Sequence, residues 1–375
     1  MGASSSMRRA EAHIRQLCCL GLGGKVIMPT LLRELHDLIP SYGNCFFWAD
    51  DNARLADMYD EQALCLSLLP EYLDSFYNRR DKEVHRGFTY ALRHYRGVIG
   101  NEEFFTVDTS TMLASDFYNC IMRPQHNRYF IKLYVHEAGK GLGMLQMHRD
   151  CNERPFDSRD RLRLARMQPY LAHALAPCPQ DGADEWVDSG ESGLIITNRQ
   201  GRPLSFSPMA RRLLHLASDR RTQANAHRVP SVHLPSALES MCGNLTGVFA
   251  GDTTAESPTV IHSNAWGVFV FRAYWLDSAT PGEGYIGIAV SRQTPLALGL
   301  LQGARRMPLS QRQSEVAVLL AAGLSGQQTA ERLGVSLHTV IAHRRWVYER
   351  LGVHDRGALR TRLLRARREQ RSQTM

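Results

Sequence analysis

Three glycines, Gly323, Gly334 and Gly352, divide the stretch that follows Pro308 into four short segments, each with apolar residues at helical spacing. Val316, Leu319 and Leu320 give the first an apolar stripe, and Gly323 ends it. Ser325 is placed to cap the second, which runs to Leu333 and is closed by Gly334. Ser336 caps the third, where Val340, Val347 and Leu351 form the buried face before Gly352. Asp355 caps a fourth, with Leu359 and Leu363 turned inward.

Two helices joined by a tight glycine turn form a helix-turn-helix unit, whose second helix enters the DNA major groove. The close crossing needs a small residue on the first helix, a turn residue that tolerates positive φ, and an apolar anchor on the second. Ala330, Gly334 and Val340 supply the three. The outward face of the third segment is then His338, Ile341, Ala342 and Arg345. Arg345 suits a bidentate guanine contact, and Ile341 or Ala342 a thymine methyl. Arg344 and Arg350, with Ser325, Gln327 and Ser336 near helix N-termini, suit phosphates; Gln328 and Thr339 complete the expected DNA-binding set.

Charge agrees with this reading. Of 45 Lys+Arg and 37 Asp+Glu, 14 Arg and 5 acidic residues lie from Ala304 onward, so the first 303 residues carry 31 basic against 32 acidic and the +8 sits in the last fifth. A neutral body with a basic end is the footprint of a polyanion binder, and an anionic membrane would satisfy the charge as well as nucleic acid. Four Lys against 41 Arg fits a GC-rich, bacterial coding genome.

Residues 304–369 resemble the LuxR-type helix-turn-helix, a four-helix DNA-binding domain of bacterial transcription regulators. The matching stretches are Leu309-Ser310 with Glu315-Val316, Gly323-Leu324-Ser325, Ala330 to Ser336, His338-Thr339-Val340, His343, Tyr348 and Leu351-Gly352-Val353. Gln311 stands where the family often has Pro, Thr329 where an apolar residue is usual, and Gln327 and Ile341 where Lys or another polar residue is frequent. The resemblance implies double-stranded DNA as partner, a homodimer on a two-fold site, and an activator contacting RNA polymerase.

Upstream, the pattern is α+β. A helical run through Leu31, Leu35 and Ile39 stops at Pro40. Short apolar runs flank Asp50-Asp51-Asn52, residues 60–95 look helical, a hairpin turns at Ala138 to Gly141, and Arg159 to Leu175 reads as one amphipathic helix. This order resembles a GAF sensor domain over 26–176, after a tail at 1–25. The polar stretch 177–191 reads as a linker. Residues 192–296 resemble a PAS domain, with 218–262 too irregular to place. The expected fold class is therefore multidomain: α+β sensor-like domains followed by an all-α four-helix domain. The N-terminal regions are candidates for receiving a small-molecule effector, the alternative being a dimerisation or docking scaffold with no ligand.

Other chemistry is weakly signalled. Asp50-Asp51 lacks the repeated β-α units of a phosphoacceptor receiver, and His148-Arg149-Asp150 has Pro155 where a kinase loop needs Asn. Gly139, Gly141 and Gly143 lack phosphate-loop spacing, and His136-Glu137 lacks a zinc protease's second His. Eight dispersed cysteines without C-x-x-C argue against a zinc cage or disulfide framework and fit reduced thiols. No catalytic set, cofactor or metal is expected. Met1-Gly2-Ala3-Ser4-Ser5-Ser6 matches a lipidation pattern, but such Ser-rich starts are common in disordered tails. With neither a secretory core nor a membrane-length apolar run, the expected setting is cytoplasmic and away from membranes.

Overall fold

The computed structural model describes residues 2–62, 64–176, 185–218, 236–251, 256–277 and 284–369. The described chain forms two compact units: one reaches from the N-terminus to about residue 178, the other holds the described residues from 185 onward.

In the first unit, α1 (Gly2–Cys18) and α2 (Gly24–Leu35) precede β1 (Gly43–Ala49) and β2 (Leu55–Asp60). There follow α3 (Leu64–Glu71), α4 (Phe88–His94), β3 (Gly97–Gly100), α5 (Asn101–Phe104) and α6 (Thr109–Ala114). The unit closes with β4 (Tyr129–Glu137), β5 (Lys140–Arg149), α7 (Ser158–Ala165) and α8 (Gln168–Leu175). The strands form one antiparallel sheet in the order β2-β1-β5-β4-β3. Alternation along the strands gives it two apolar faces. Phe46, Leu145 and Leu133 lie in register on the face packed by α2 and α8. Phe47, Met144 and Tyr134 lie on the other, whose core also takes Phe76, Phe88, Phe104 and Phe117.

The expected hairpins around Asp50-Asp51-Asn52 and Gly139 are present. Three expectations are corrected. The tail at 1–25 is largely α1, whose Ile14 and Leu17 are fully buried in contact with α2 and α8. Helix 159–175 is two helices, because Pro169, one residue into α8, has no N–H to continue the ladder and crowds the carbonyl four residues back. The helical reading of 60–95 breaks up: after Pro70 come a wide turn at Tyr72–Phe76 and a 3-10 turn at Arg80–Glu83, with Asn78 and Gly87 at φ 53° and 79°.

The second unit starts with β6 (Trp186–Asn198), β7 (Pro203–Phe206) and α9 (Pro208–Ala217). It continues through α10 (Ser236–Phe249), β8 (Thr259–Asn264), β9 (Gly267–Asp277), β10 (Gly284–Pro295) and α11 (Leu296–Arg305). Four helices end it: α12 (Gln311–Ala321), α13 (Gly326–Leu333), α14 (Leu337–Leu351) and α15 (Arg356–Glu369). Its sheet repeats the strand order of the first, β7-β6-β10-β9-β8.

The expected linker 177–191 therefore ends at Trp186, where β6 begins; its part before 185 lies outside the described residues. The stretch 218–262 holds α10 and the start of β8, the rest of it being largely outside the described residues. Between the second sheet and the last four helices lies α11, seven of whose ten residues are buried, chiefly against α15 and α12.

Candidate nucleic-acid interface

Each helix of the C-terminal domain is started by a side chain that satisfies otherwise orphaned backbone N–H groups. Ser310 Oγ accepts from Gln313 N at 3.3 Å, Ser325 Oγ from Gln328 N at 3.1 Å, Ser336 Oγ from Thr339 N at 3.1 Å, and Asp355 Oδ1 from Ala358 N at 2.8 Å. Gln313 and Gln328 return the bond to the backbone N–H of Ser310 and Ser325, completing capping boxes. Gly334 and Gly352 close α13 and α14 in the left-handed conformation, at φ 62° and 63°.

These caps make the turn between α13 and α14 only Gly334-Val335-Ser336. Ala330 and Val340 are buried at the crossing, as the spacing requires, and Val347, Leu359 and Leu363 continue the core. Thr329, where an apolar residue is usual, is also fully buried; its hydroxyl donates to Ser325 O at 2.8 Å, so the departure leaves no unpaired polar group.

The predicted DNA-binding residues fall into distinct groups. His338, Ile341, Ala342 and Arg345 are exposed and share one side of α14. Ser325, Gln328, Ser336 and Thr339 are engaged in caps at the starts of α13 and α14. Gln327 is exposed, with its amide donating to Glu331 at 3.2 Å. Arg344 is half-buried, and Arg350 lies exposed twelve residues beyond His338, or ~18 Å along the helix axis, separate from the group of His338, Ile341, Ala342 and Arg345.

Sequence reasoning passed over Leu337 and Trp346, which are 41% and 60% exposed. The signal was available: Trp346 follows Ala342 by four residues and adjoins the stripe of Val340 and Val347 without belonging to it. A large exposed ring beside the polar face suits contact with sugar or a base methyl.

Residues 307–361 match the family model described as bacterial regulatory proteins, luxR family. This segment is a LuxR-family DNA-binding domain. A domain of this kind makes the chain a transcription regulator. Among solved structures, the chain is similar to the LuxR-type receptor VqmA of Vibrio cholerae, at 17% identity over 46% of this chain and 82% of that one, with a TM-score of 0.16. It is similar to the E. coli DhaR(N)-DhaL complex at 9% identity, 77% and 90% coverage and a TM-score of 0.25. The sensor region of a sensor histidine kinase follows at 16% identity, 43% and 62% coverage and a TM-score of 0.19. No curated protein matches the chain. Among the described residues, no cluster of three or more metal-ligating side chains is present, and no helix is long and apolar enough to cross a membrane.

Proposed function

We propose that the chain is a sequence-specific transcription activator that binds a two-fold DNA site as a homodimer in the cytoplasm, recruits RNA polymerase, and takes its signal through residues 26–296. The observation that carries the reading is the exposed face of α14, with His338, Ile341, Ala342 and Arg345 presented from a capped helix-turn-helix. Phosphates are held by Arg344, Arg350 and Gln327, while the capped starts of α13 and α14 direct backbone N–H groups at the DNA backbone. The identical strand orders of the two N-terminal sheets support reading them as GAF-like and PAS-like sensor regions.

The test is selection of bound duplexes from a randomised pool, followed by binding at several salt concentrations. A two-fold consensus and a steep fall of affinity with salt are expected, because several phosphates lose their counterions. Recovery of unrelated sequences with equal affinity overturns the reading. A second reading, a dimerisation or docking scaffold without a ligand, is favoured for residues 192–296 by the exposed Leu204, Ile261 and Tyr274. A truncation at residue 303 that dimerises in the absence of any small molecule supports it.

A further inference from the structure

The first unit holds a cavity of about 100 Å³, partly open to the surface, between its sheet and the segments beside it. Five phenylalanines, Phe47, Phe88, Phe104, Phe117 and Phe130, line it. Into this apolar space β4 presents Lys132, whose chain neighbours at two-residue spacing, Phe130 and Tyr134, face the same way. The lysine is 7% exposed, and its Nζ lies 3.3 Å from the centroid of Phe104 and 4.5 Å from that of Phe130.

An ammonium in such a place needs a partner, because an isolated buried charge is costly. The two rings supply part of it through their negative faces. No described carboxylate forms an ion pair with it. Asp81, the one whose field reaches it, has Oδ2 engaged by Asn78 N at 3.1 Å. Two further lining groups, the Tyr134 hydroxyl and Asn127 Oδ1, are buried and without a hydrogen-bond partner among the described residues. Burial lowers the Lys132 pKa to about 7, so ammonium and neutral amine are both populated near neutral pH and an incoming anion would favour the ammonium.

We propose that this cavity binds a single-ring aromatic carboxylate, its ring among the phenylalanines and its carboxylate on Lys132. A protein-core cavity of ~150 Å³ accommodates one benzene ring, so this one of about 100 Å³, partly open at its mouth, takes a single ring with a small outward shift of its lining. The alternative occupant is a small group of waters linking Lys132 to Asp81. The inference rests on the proposed reading of residues 26–176 as an input region, but its test reads binding directly.

Calorimetric titration of the full chain with benzoate, benzamide and cyclohexanecarboxylate is the experiment. Benzoate is expected to bind at least ~10-fold more tightly than benzamide, since a close charge pair gives more than a tenfold gain, and more tightly than cyclohexanecarboxylate, whose ring offers no aromatic face or edge to the phenylalanines. Lys132→Met, which replaces the charge with an apolar chain of similar length, should bring benzoate down to the benzamide level while benzamide binding persists as evidence of an intact fold. Equal binding of benzoate and benzamide by the wild type, unchanged benzoate binding by Lys132→Met, or no binding of any of the three overturns the proposal. Cyclohexanecarboxylate binding as tightly as benzoate overturns the aromatic assignment. DNA affinity measured with and without benzoate separates the two ideas: tight benzoate binding with unchanged DNA affinity upholds the site and overturns the input reading.

Discussion

Glu191 of β6 and Arg292 of β10 are register partners across the second sheet, with Arg292 Nη1 3.0 Å from Glu191 Oε2 and both side chains buried. Arg292 also donates from Nε and Nη2 to the carbonyl of Trp266, at 2.8 and 2.6 Å, so one guanidinium holds together β6, β10 and the turn before β9. Breaking such a pair leaves an uncompensated buried charge. Arg292→Met should therefore cost about 3–5 kcal/mol in denaturant unfolding, whereas the double variant Glu191→Leu/Arg292→Met should recover most of the loss. A double variant as unstable as the single one rejects this account.

The same pair shows where sequence reading stops. The run Asp188-Ser189-Gly190-Glu191-Ser192 is polar and carries one half of the buried pair, Glu191, and locally it is indistinguishable from a linker. Arg292, which makes it a strand, lies 101 residues away. The C-terminal helices were legible because their caps and closing glycines act over three or four residues. The hairpins were legible for the same reason. Burial of α1, by contrast, is a tertiary fact, and so is the placement of Lys132 among rings from distant segments. The Pro169 break was local and readable, but the amphipathic pattern continues across it.

Gly303 of α11 packs directly on the backbone of α15: a Cβ there would meet the Leu363 carbonyl oxygen at 2.0 Å. Gly303→Ala should therefore destabilise the chain by about 1–3 kcal/mol, because the helices must separate despite alanine's better helix propensity. Gly243 in α10 has nothing within 4 Å of the same position. Gly243→Ala should be neutral or stabilising by up to ~1 kcal/mol. Urea denaturation of the two variants checks the pair, and similar behaviour of both would reject the close-crossing assignment.

His36 Nε2 stands 2.7 Å from Glu61 Oε2, with Ser41 Oγ 3.0 Å from Nδ1. Burial disfavours the imidazolium, but the Glu61 carboxylate, aided by Ser41 and the Asp37 charge, outweighs it and raises the pKa above 6.5. The nearby His148 is lowered to about 4 by burial and stays neutral over the same range. Since the folded protein holds the His36 proton more tightly than the unfolded chain, this contribution is complete below pH 6.5 and is lost as pH rises through the raised folded value. Wild type should thus lose up to ~1 kcal/mol more than Glu61→Gln on going upward from about pH 6 to 8. Parallel stability curves for the two proteins would refute the coupling.

Arg345 is exposed on α14, one turn from Ile341 and Ala342, where a guanidinium can reach a base edge without leaving its own helix. Arg350, five residues on, lies beyond that group and faces the backbone of the duplex in the proposed reading. The two arginines should consequently fail in different ways. Arg345→Ala should cost about 1–3 kcal/mol on the selected site and relax preference at one base pair, leaving weak binding to unrelated DNA little changed. Arg350→Ala should weaken binding by a similar factor on every sequence and reduce the slope of log affinity against log salt by about 1. Competition binding with the selected duplex and its single-base variants separates them. If Arg345→Ala weakens all sequences equally and lowers the salt slope, its side chain holds phosphate, and the base-reading face must be sought among His338, Ile341 and Ala342.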